Sequence, residues 1–353
     1  MDAPAPRPDP ATLEADPSAW DGFVASTALA PYLQATAWAE VKARNGWSAR
    51  RVVVGGPAGT VGCQLLTHRI GPLPWSVGYA PRGPVTAGLD EEAIHRWTGA
   101  LRRAAVEARL SHVVIDPEIE AGGPELDWFR TAGWRSCPSP QPARSRWIDL
   151  AMPEEALWGD LRGKWRQYVQ KARRAGIVVI EAGADRLDDF YAIYVDTARR
   201  AGFTYRTAAT YRAVHHAYAA RGRARLLLAQ DASGQAQAAL MLVGWGRRIV
   251  EPYGGMTRAG AESRANYLLK WEAIRSSRDA GYAVYDLWGL SHAGIEQFKA
   301  GFGGREVDYI GGLELEVRPF VRRAVQAAQA VRVGVARRRV DRERPGVAEG
   351  GEP

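Results

Sequence analysis

The 353-residue chain has two cysteines, Cys63 and Cys137, far apart and without companions. They offer neither a metal-ligand spacing nor a disulfide framework, which fits a reducing compartment. No segment approaches the ~20 consecutive apolar residues of a membrane-spanning helix. The opening MDAPAPRPDPA puts proline and aspartate where a secretory leader needs a basic stretch and an apolar run. The expected location is therefore the cytoplasm, with contact to the inner face of a membrane left open. No Ser/His/Asp set or reactive cysteine stands out, no metal site is expected, and no repeat recurs at a fixed period. Lysine is scarce, five residues against forty-two arginines, so the places where it occurs carry information.

What is present describes a folded protein. A hydrophobic fraction of 46% and thirteen tryptophans supply material for a core, and the length suggests about two domains. The formal net charge of +8 permits a nucleic acid, an anionic membrane or a phosphorylated substrate as partner without choosing among them. Residues 1–11 are Pro-rich and residues 341–353 polar, and both are expected to be disordered. Between them, helical and strand patterns alternate twice in an α+β order, over 12–150 and again over 151–317, with a last Arg/Ala/Val-rich helix over 318–340. One helix is expected from Glu154 to Ala175. Its apolar stripe is Leu157, Leu161, Trp165, Tyr168 or Val169, and Ala172, while Lys164, Arg166, Lys171, Arg173 and Arg174 crowd the other faces. That basic face reads either as a solvated surface or as a contact for RNA phosphates.

The stretch Tyr285–Tyr309 (YDLWGLSHAGIEQFKAGFGGREVDY) organises the second block. A strand ends at Trp288, Gly289 breaks it, and a short helix follows over 293–300. Gly301, Gly303 and Gly304 end that helix before another strand over 307–310. Lys299 sits beside Phe298 at the mouth of the Gly-rich turn. It reads as a helix-end cation favoured by the helix dipole, or as a cation for a substrate anion or a developing oxyanion. Asp286 has two readings also: proton acceptor for an attacking amine, or cap of the turn at Gly289.

Six segments together resemble the FemABX family of non-ribosomal peptidyltransferases. They are QATAWAEVKARNGW (Gln34–Trp47), YAPRGPV (Tyr79–Val85), LRGKWRQYVQKARRAGIVV (Leu161–Val179), GFTYRTAATY (Gly202–Tyr211), YGGMTRAGAESRANYLL (Tyr253–Leu269) and Gly281–Gly304. The resemblance covers about residues 32–320. It implies two tandem GNAT-like subdomains, here without the long helical arm of some members because 191–225 leaves no room for it. The first subdomain would be 12–150, completed by 318–340, and the second 151–317.

The implied activity is transfer of an amino acid from aminoacyl-tRNA to the stem-peptide amine of a peptidoglycan precursor, lipid II or UDP-MurNAc-pentapeptide, with no cofactor. The resemblance implies Lys299 and Phe298 at the reacting carbonyl or the tRNA acceptor end, and Lys42 and Arg206 on the precursor's diphosphate. Tyr79, Tyr211 and Tyr253 flank the same motifs, as contacts to sugar or peptide or as core residues. The C-terminal helix, with nine arginines between Arg318 and Arg344 against Asp341 and Glu343, would lie on anionic lipid. Two rivals stand beside this reading. A CoA-dependent N-acyltransferase needs a Gly-rich loop opening a helix around the pyrophosphate, and Arg173-Arg174-Ala175-Gly176 closes a helix instead. A non-catalytic tRNA- or membrane-binding protein would bind without turnover.

Overall fold

The computed structural model describes residues 9–290 and 293–327. Three short helices open it: α1 (Pro10–Ala15), α2 (Pro17–Ser26) and α3 (Thr36–Ala43). Asp9 and Asp16 accept the Thr12 and Ser18 amide protons at the starts of α1 and α2, each followed by proline at the first helical position. Strands β1 (Trp47–Val54), β2 (Val61–Arg69), β3 (Ser76–Ala80) and β4 (Val85–Thr86) follow, then α4 (Glu91–Glu107), β5 (Leu110–Ile115), α5 (Glu125–Thr131) and β6 (Arg135–Cys137). The second run is β7 (Arg144–Asp149), α6 (Glu154–Asp160), α7 (Gly163–Arg174), β8 (Val178–Ala182), α8 (Leu187–Ala201), α9 (Ala208–Ala219), β9 (Ala224–Gln230), β10 (Ala236–Trp245), β11 (Arg248–Met256), α10 (Arg258–Ser263) and α11 (Ala265–Asp279). It ends with β12 (Val284–Asp286), α12 (Ala293–Ala300), β13 (Arg305–Asp308) and β14 (Gly312–Glu316).

These strands form two seven-stranded sheets. The first runs β1-β2-β3-β5-β14-β6, with β4 paired to β2; the second runs β13-β7-β12-β11-β10-β9-β8. Each contains one parallel pair bridged by a helix: β3 with β5 across α4, and β11 with β12 across α11. A structural repeat is thus present where no sequence repeat is visible. Every residue of β10 is buried, because helices cover both faces of its sheet.

Two strands lie in the sheet opposite to the one expected. β7 was expected to close the first half, but it pairs with β12 and β13 in the second. β14 was expected in the second half, but it fills the first sheet between β5 and β6. Pro138, Pro140 and Pro142 lie between β6 and β7, lack amide donors, and take the chain out of the first sheet. The N-terminal helices also cross the divide. Trp20, Tyr32 and Val41 share one buried cluster with Val214, Tyr218 and Met241, and the Tyr218 hydroxyl donates to the Tyr32 carbonyl at 2.7 Å.

Three local expectations need correction. Residues 10 and 11 belong to α1, whereas 1–8 lie outside the described residues. The helix expected over 154–175 is broken: Leu161 is extended, and the Arg162 amide donates to the Gly301 carbonyl at 2.9 Å rather than back into a helix. Of the last helix, 319–327 is helical and docks on the first sheet through paired Arg322 and Glu314; 328–353, including the tail over 341–353, lie outside the described residues. Only 202–207 separates α8 from α9, so no long helical arm is inserted there.

Candidate active site

The Gly-rich turn after α12 explains how the site is built. Gly301 lies against the Trp165 ring, where a Cβ would come within 2.3 Å, and Gly304 has φ +73° with the Trp147 carbonyl 2.2 Å from its would-be Cβ. Only glycine lets α12 approach α7 this closely. Trp165 Nε1 then donates to the Phe298 carbonyl at 3.1 Å, which sets the end of α12 against a cavity of about 740 Å³ in the second half. Lys299, Phe298, Trp288, Tyr267, Lys270 and Glu251 are among its lining residues.

Lys299 Nζ donates to the carbonyls of Trp288 and Gly289, each at 2.8 Å. An ammonium has three donors, so one remains for the cavity that the side chain lines. Burial pushes its pKa down to about 8; nearby Lys270 adds to that shift, while Glu251 and Asp286 oppose it. Below Lys299 lies a buried set that sequence reading missed. Lys270 pairs with Glu251, whose other oxygen accepts the Tyr285 hydroxyl at 2.7 Å, and the Lys270 ammonium lies 5.6 and 5.7 Å from the Phe298 and Phe302 ring centres. Lys270 follows directly on the matched segment ending at Leu269 and stands in a run of buried apolar residues on α11. A charge in such a run was the available signal.

Asp286 is not brought to the cavity. One of its oxygens accepts the Trp288 amide at 2.7 Å and the Ser145 hydroxyl, and the other accepts Arg248 Nη2 at 2.7 Å. It is the cap of a turn in which Trp288 holds φ +57°, and with both oxygens engaged it is poorly placed to take a proton from an amine.

Lys42, Arg206, Tyr211 and Tyr253 are brought together. The Arg206 amide donates to the Tyr211 hydroxyl oxygen at 3.0 Å, and the Tyr211 and Tyr253 ring centres are 5.2 Å apart. Lys42 lies 4.7 Å from the Trp47 ring centre; burial lowers its pKa, and the Arg206 charge lowers it further. Two cations this close together make a place for an anion. Tyr194 touches both tyrosines and also lines the cavity, so one aromatic wall joins the cation pair to Lys299. Tyr79 is separate: its hydroxyl donates to Asp116 at 2.8 Å and accepts from Gln141 at 3.1 Å within the first half.

The five cations named on 161–174 divide in two. Arg166 is spent on the fold, donating to the Trp158, Gly159 and Leu161 carbonyls at the end of α6, and Arg173 pairs with Glu272 at 2.8 Å. Lys164, Lys171 and Arg174 are exposed.

Residues 16–123 match the FemAB family and residues 159–300 an acetyltransferase (GNAT) domain. The chain is 28% identical over 221 residues to a lipid II:glycine glycyltransferase of Staphylococcus saprophyticus, covering 60% of this chain and 53% of that one. It is 27% identical over 219 residues to the enzyme of the same name from Staphylococcus aureus strain MRSA252, covering 59% and 52%. It thus spans about half the length of the curated relatives it matches. A crystal structure of FemX superposes with a TM-score of 0.78 at 19% identity, over 88% of this chain and 98% of that one. A tandem GNAT protein from the clavulanic acid pathway gives 0.54 at 14%, over 89% and 98%. Both show the same fold, two GNAT-like units in tandem, and the FemAB match falls in the first half of the chain and the GNAT match in the second, so the similarity to the FemABX family extends over both halves.

Proposed function

We propose that the protein is an aminoacyltransferase that moves an amino acid from aminoacyl-tRNA to the stem-peptide amine of a lipid-linked peptidoglycan precursor. The observation that carries this reading is Lys299, held by two carbonyls at the lining of a cavity that an aromatic wall joins to the Lys42–Arg206 pair. An ester on the tRNA ribose is already activated, so the protein has to align two reactants and steady a charge. Alignment contributes up to ~7–11 kcal/mol, and one well-placed oxyanion donor roughly 3 kcal/mol.

In this scheme the amine nitrogen attacks the ester carbonyl carbon, and the carbonyl electron pair moves to oxygen, where the Lys299 ammonium donates. The carbon–oxygen bond to the ribose then breaks. The nitrogen loses one proton and the departing ribose hydroxyl gains one, leaving an amide and free tRNA. Lys42 and Arg206 hold the precursor's diphosphate, Arg206 through a planar fork and Lys42 as a point charge. Lys164, Lys171 and Arg174 meet tRNA phosphates, and Asp286 holds the turn that carries the two carbonyls gripped by Lys299.

The CoA-dependent rival finds little support. The segment between β11 and α11 is folded into the short helix α10, with Gly260 packed on the Gln237 carbonyl, instead of an open Gly-rich loop. The deciding assay mixes purified protein, precursor and tRNA charged with labelled glycine, alanine or serine, one at a time. The expected result is label in the precursor with one of the three. Acylation that requires acetyl-CoA and ignores every charged tRNA would overturn the reading.

No helix among the described residues is long and apolar enough to cross a membrane. A lipid-linked acceptor calls for peripheral contact on the inner face. The basic C-terminal segment suits it, since Phe320 at its start is 82% exposed. Removing residues 320–353 is expected to abolish co-sedimentation with anionic liposomes, and unchanged sedimentation would reject this contact.

A further inference from the structure

A cluster of rings and cations adjoins the cavity, and its Arg264 and Asn266 have no task in the packing or in the transfer step. Ring contacts lead outward from Phe298. Tyr267 lies 5.3 Å from it between ring centres, Tyr168 lies 4.8 Å from Tyr267, and Trp165 closes the group at 5.3 Å from Tyr267. The Arg264 guanidinium is 4.4 Å from the Tyr168 ring centre, and Lys164 Nζ is 5.7 Å from the same ring centre. Arg162 lies 5.7 Å from the Trp165 ring centre.

None of these cations has an ion-pair partner among the described residues. Arg264 Nε and Asn266 Oδ1 are buried atoms without a hydrogen bond among the described residues, and both residues line the cavity. Arg264 itself holds φ +65°, an unfavourable backbone for a residue with a side chain, at the break between α10 and α11. A strained arginine laid on a tyrosine, an unpaired donor beside an unpaired acceptor, and an exposed lysine together suit a ligand that is planar, anionic along its length and able both to accept and to donate hydrogen bonds.

We propose that Arg264, Tyr168, Tyr267 and Lys164 form a stacking platform for the unpaired 3′ nucleotides of the RNA donor. The proposal rests on the aminoacyl-tRNA reading above and adds the surface that would hold the end of that RNA. A guanidinium lying over a tyrosine offers its outer face to a base, and base–aromatic stacking tolerates any sequence. Lys164 and Arg162 meet the adjoining phosphates, and Asn266 Oδ1 accepts from a base amino group or a ribose hydroxyl. The ring path from Tyr168 through Tyr267 to Phe298 then leads the terminal ribose, with its ester, to Lys299.

The test measures anisotropy of full-length protein with a labelled RNA hairpin carrying four unpaired 3′ nucleotides, and with the same hairpin made blunt. Wild type is expected to bind the tailed hairpin more tightly. Tyr168→Ala and Arg264→Gln are each expected to lose about 5- to 100-fold on the tailed hairpin and little on the blunt one, while Tyr168→Phe keeps wild-type binding. Denaturant midpoints of the variants verify folding, and Arg264→Gln, which removes no core ring, carries the test where Tyr168→Ala lowers stability. A wild type that prefers the tail combined with unaltered binding by both variants overturns the platform alone. A wild type that binds neither hairpin more tightly than a DNA duplex of equal length overturns the platform and the RNA donor with it.

Discussion

Lys299→Met should lower single-turnover transfer by about 10²- to 10³-fold, the effect of removing one donor from a developing oxyanion. The side chain has a second task, because it clasps the Trp288 and Gly289 carbonyls, so loss of activity alone would not separate charge from scaffold. The pH profile separates them. In the proposed role the ammonium is the working form, and burial brings its pKa down to about 8, so this requirement makes transfer fall as pH rises through about 8. The acceptor amine must lose its proton, which makes transfer rise with pH at the other end, and the product of the two is a bell. Lys299→Arg carries a charge that does not titrate in this range. It is expected to regain part of the activity and to lose the descending limb. Single-turnover rates between pH 6 and 10 measure both effects. Transfer by Lys299→Met within threefold of wild type would sink the proposed role.

Arg248→Met is expected to cost about 3–5 kcal/mol of stability, since it strands the buried Asp286 carboxylate and leaves buried Glu118 with Arg82 alone. Arg248 is 3% exposed, Glu118 2% and Asp286 0%. The guanidinium meets Glu118 through two bonds of 2.6 and 2.7 Å, and reaches Asp286 with one of the same nitrogens. Glu118 comes from the first half and Asp286 from the second, so one cation holds the halves together and also anchors the cap of the Trp288 turn. Adding Asp286→Asn to Arg248→Met removes the stranded charge and should recover part of the loss. Urea unfolding of the two variants gives the comparison. Equal stability of wild type and Arg248→Met would show that the cluster contributes nothing net.

The sequence was most informative where backbone chemistry is local. The helix over 293–300 and the Gly-rich turn after it stand where the residue types put them, because glycine and helix periodicity act over a few residues, whereas the strand before them ends at Asp286 and turns at Trp288 instead of Gly289. Lys299 could be singled out for the same reason. The exchange of β7 and β14 between the sheets could not, since both strands alternate acceptably on either side and partner choice is a long-range matter. The split of the 154–175 helix was hidden by an unbroken apolar stripe. What stops it is the Gly301 carbonyl, which arrives from far along the chain to take the Arg162 amide. Lys270 interrupts an apolar run, but Glu251 carries no such mark, and a buried ion pair leaves no periodic signature that would join the two before the fold is known.

The position of β14 bears on how the protein is made. Until residues 312–316 leave the ribosome, β5 and β6 have no strand between them, and two rows of backbone donors and acceptors stay open through synthesis of the entire second half. The nascent chain therefore carries an unfinished edge for most of its translation, a window in which a chaperone, or a neighbouring nascent chain, can occupy the slot first.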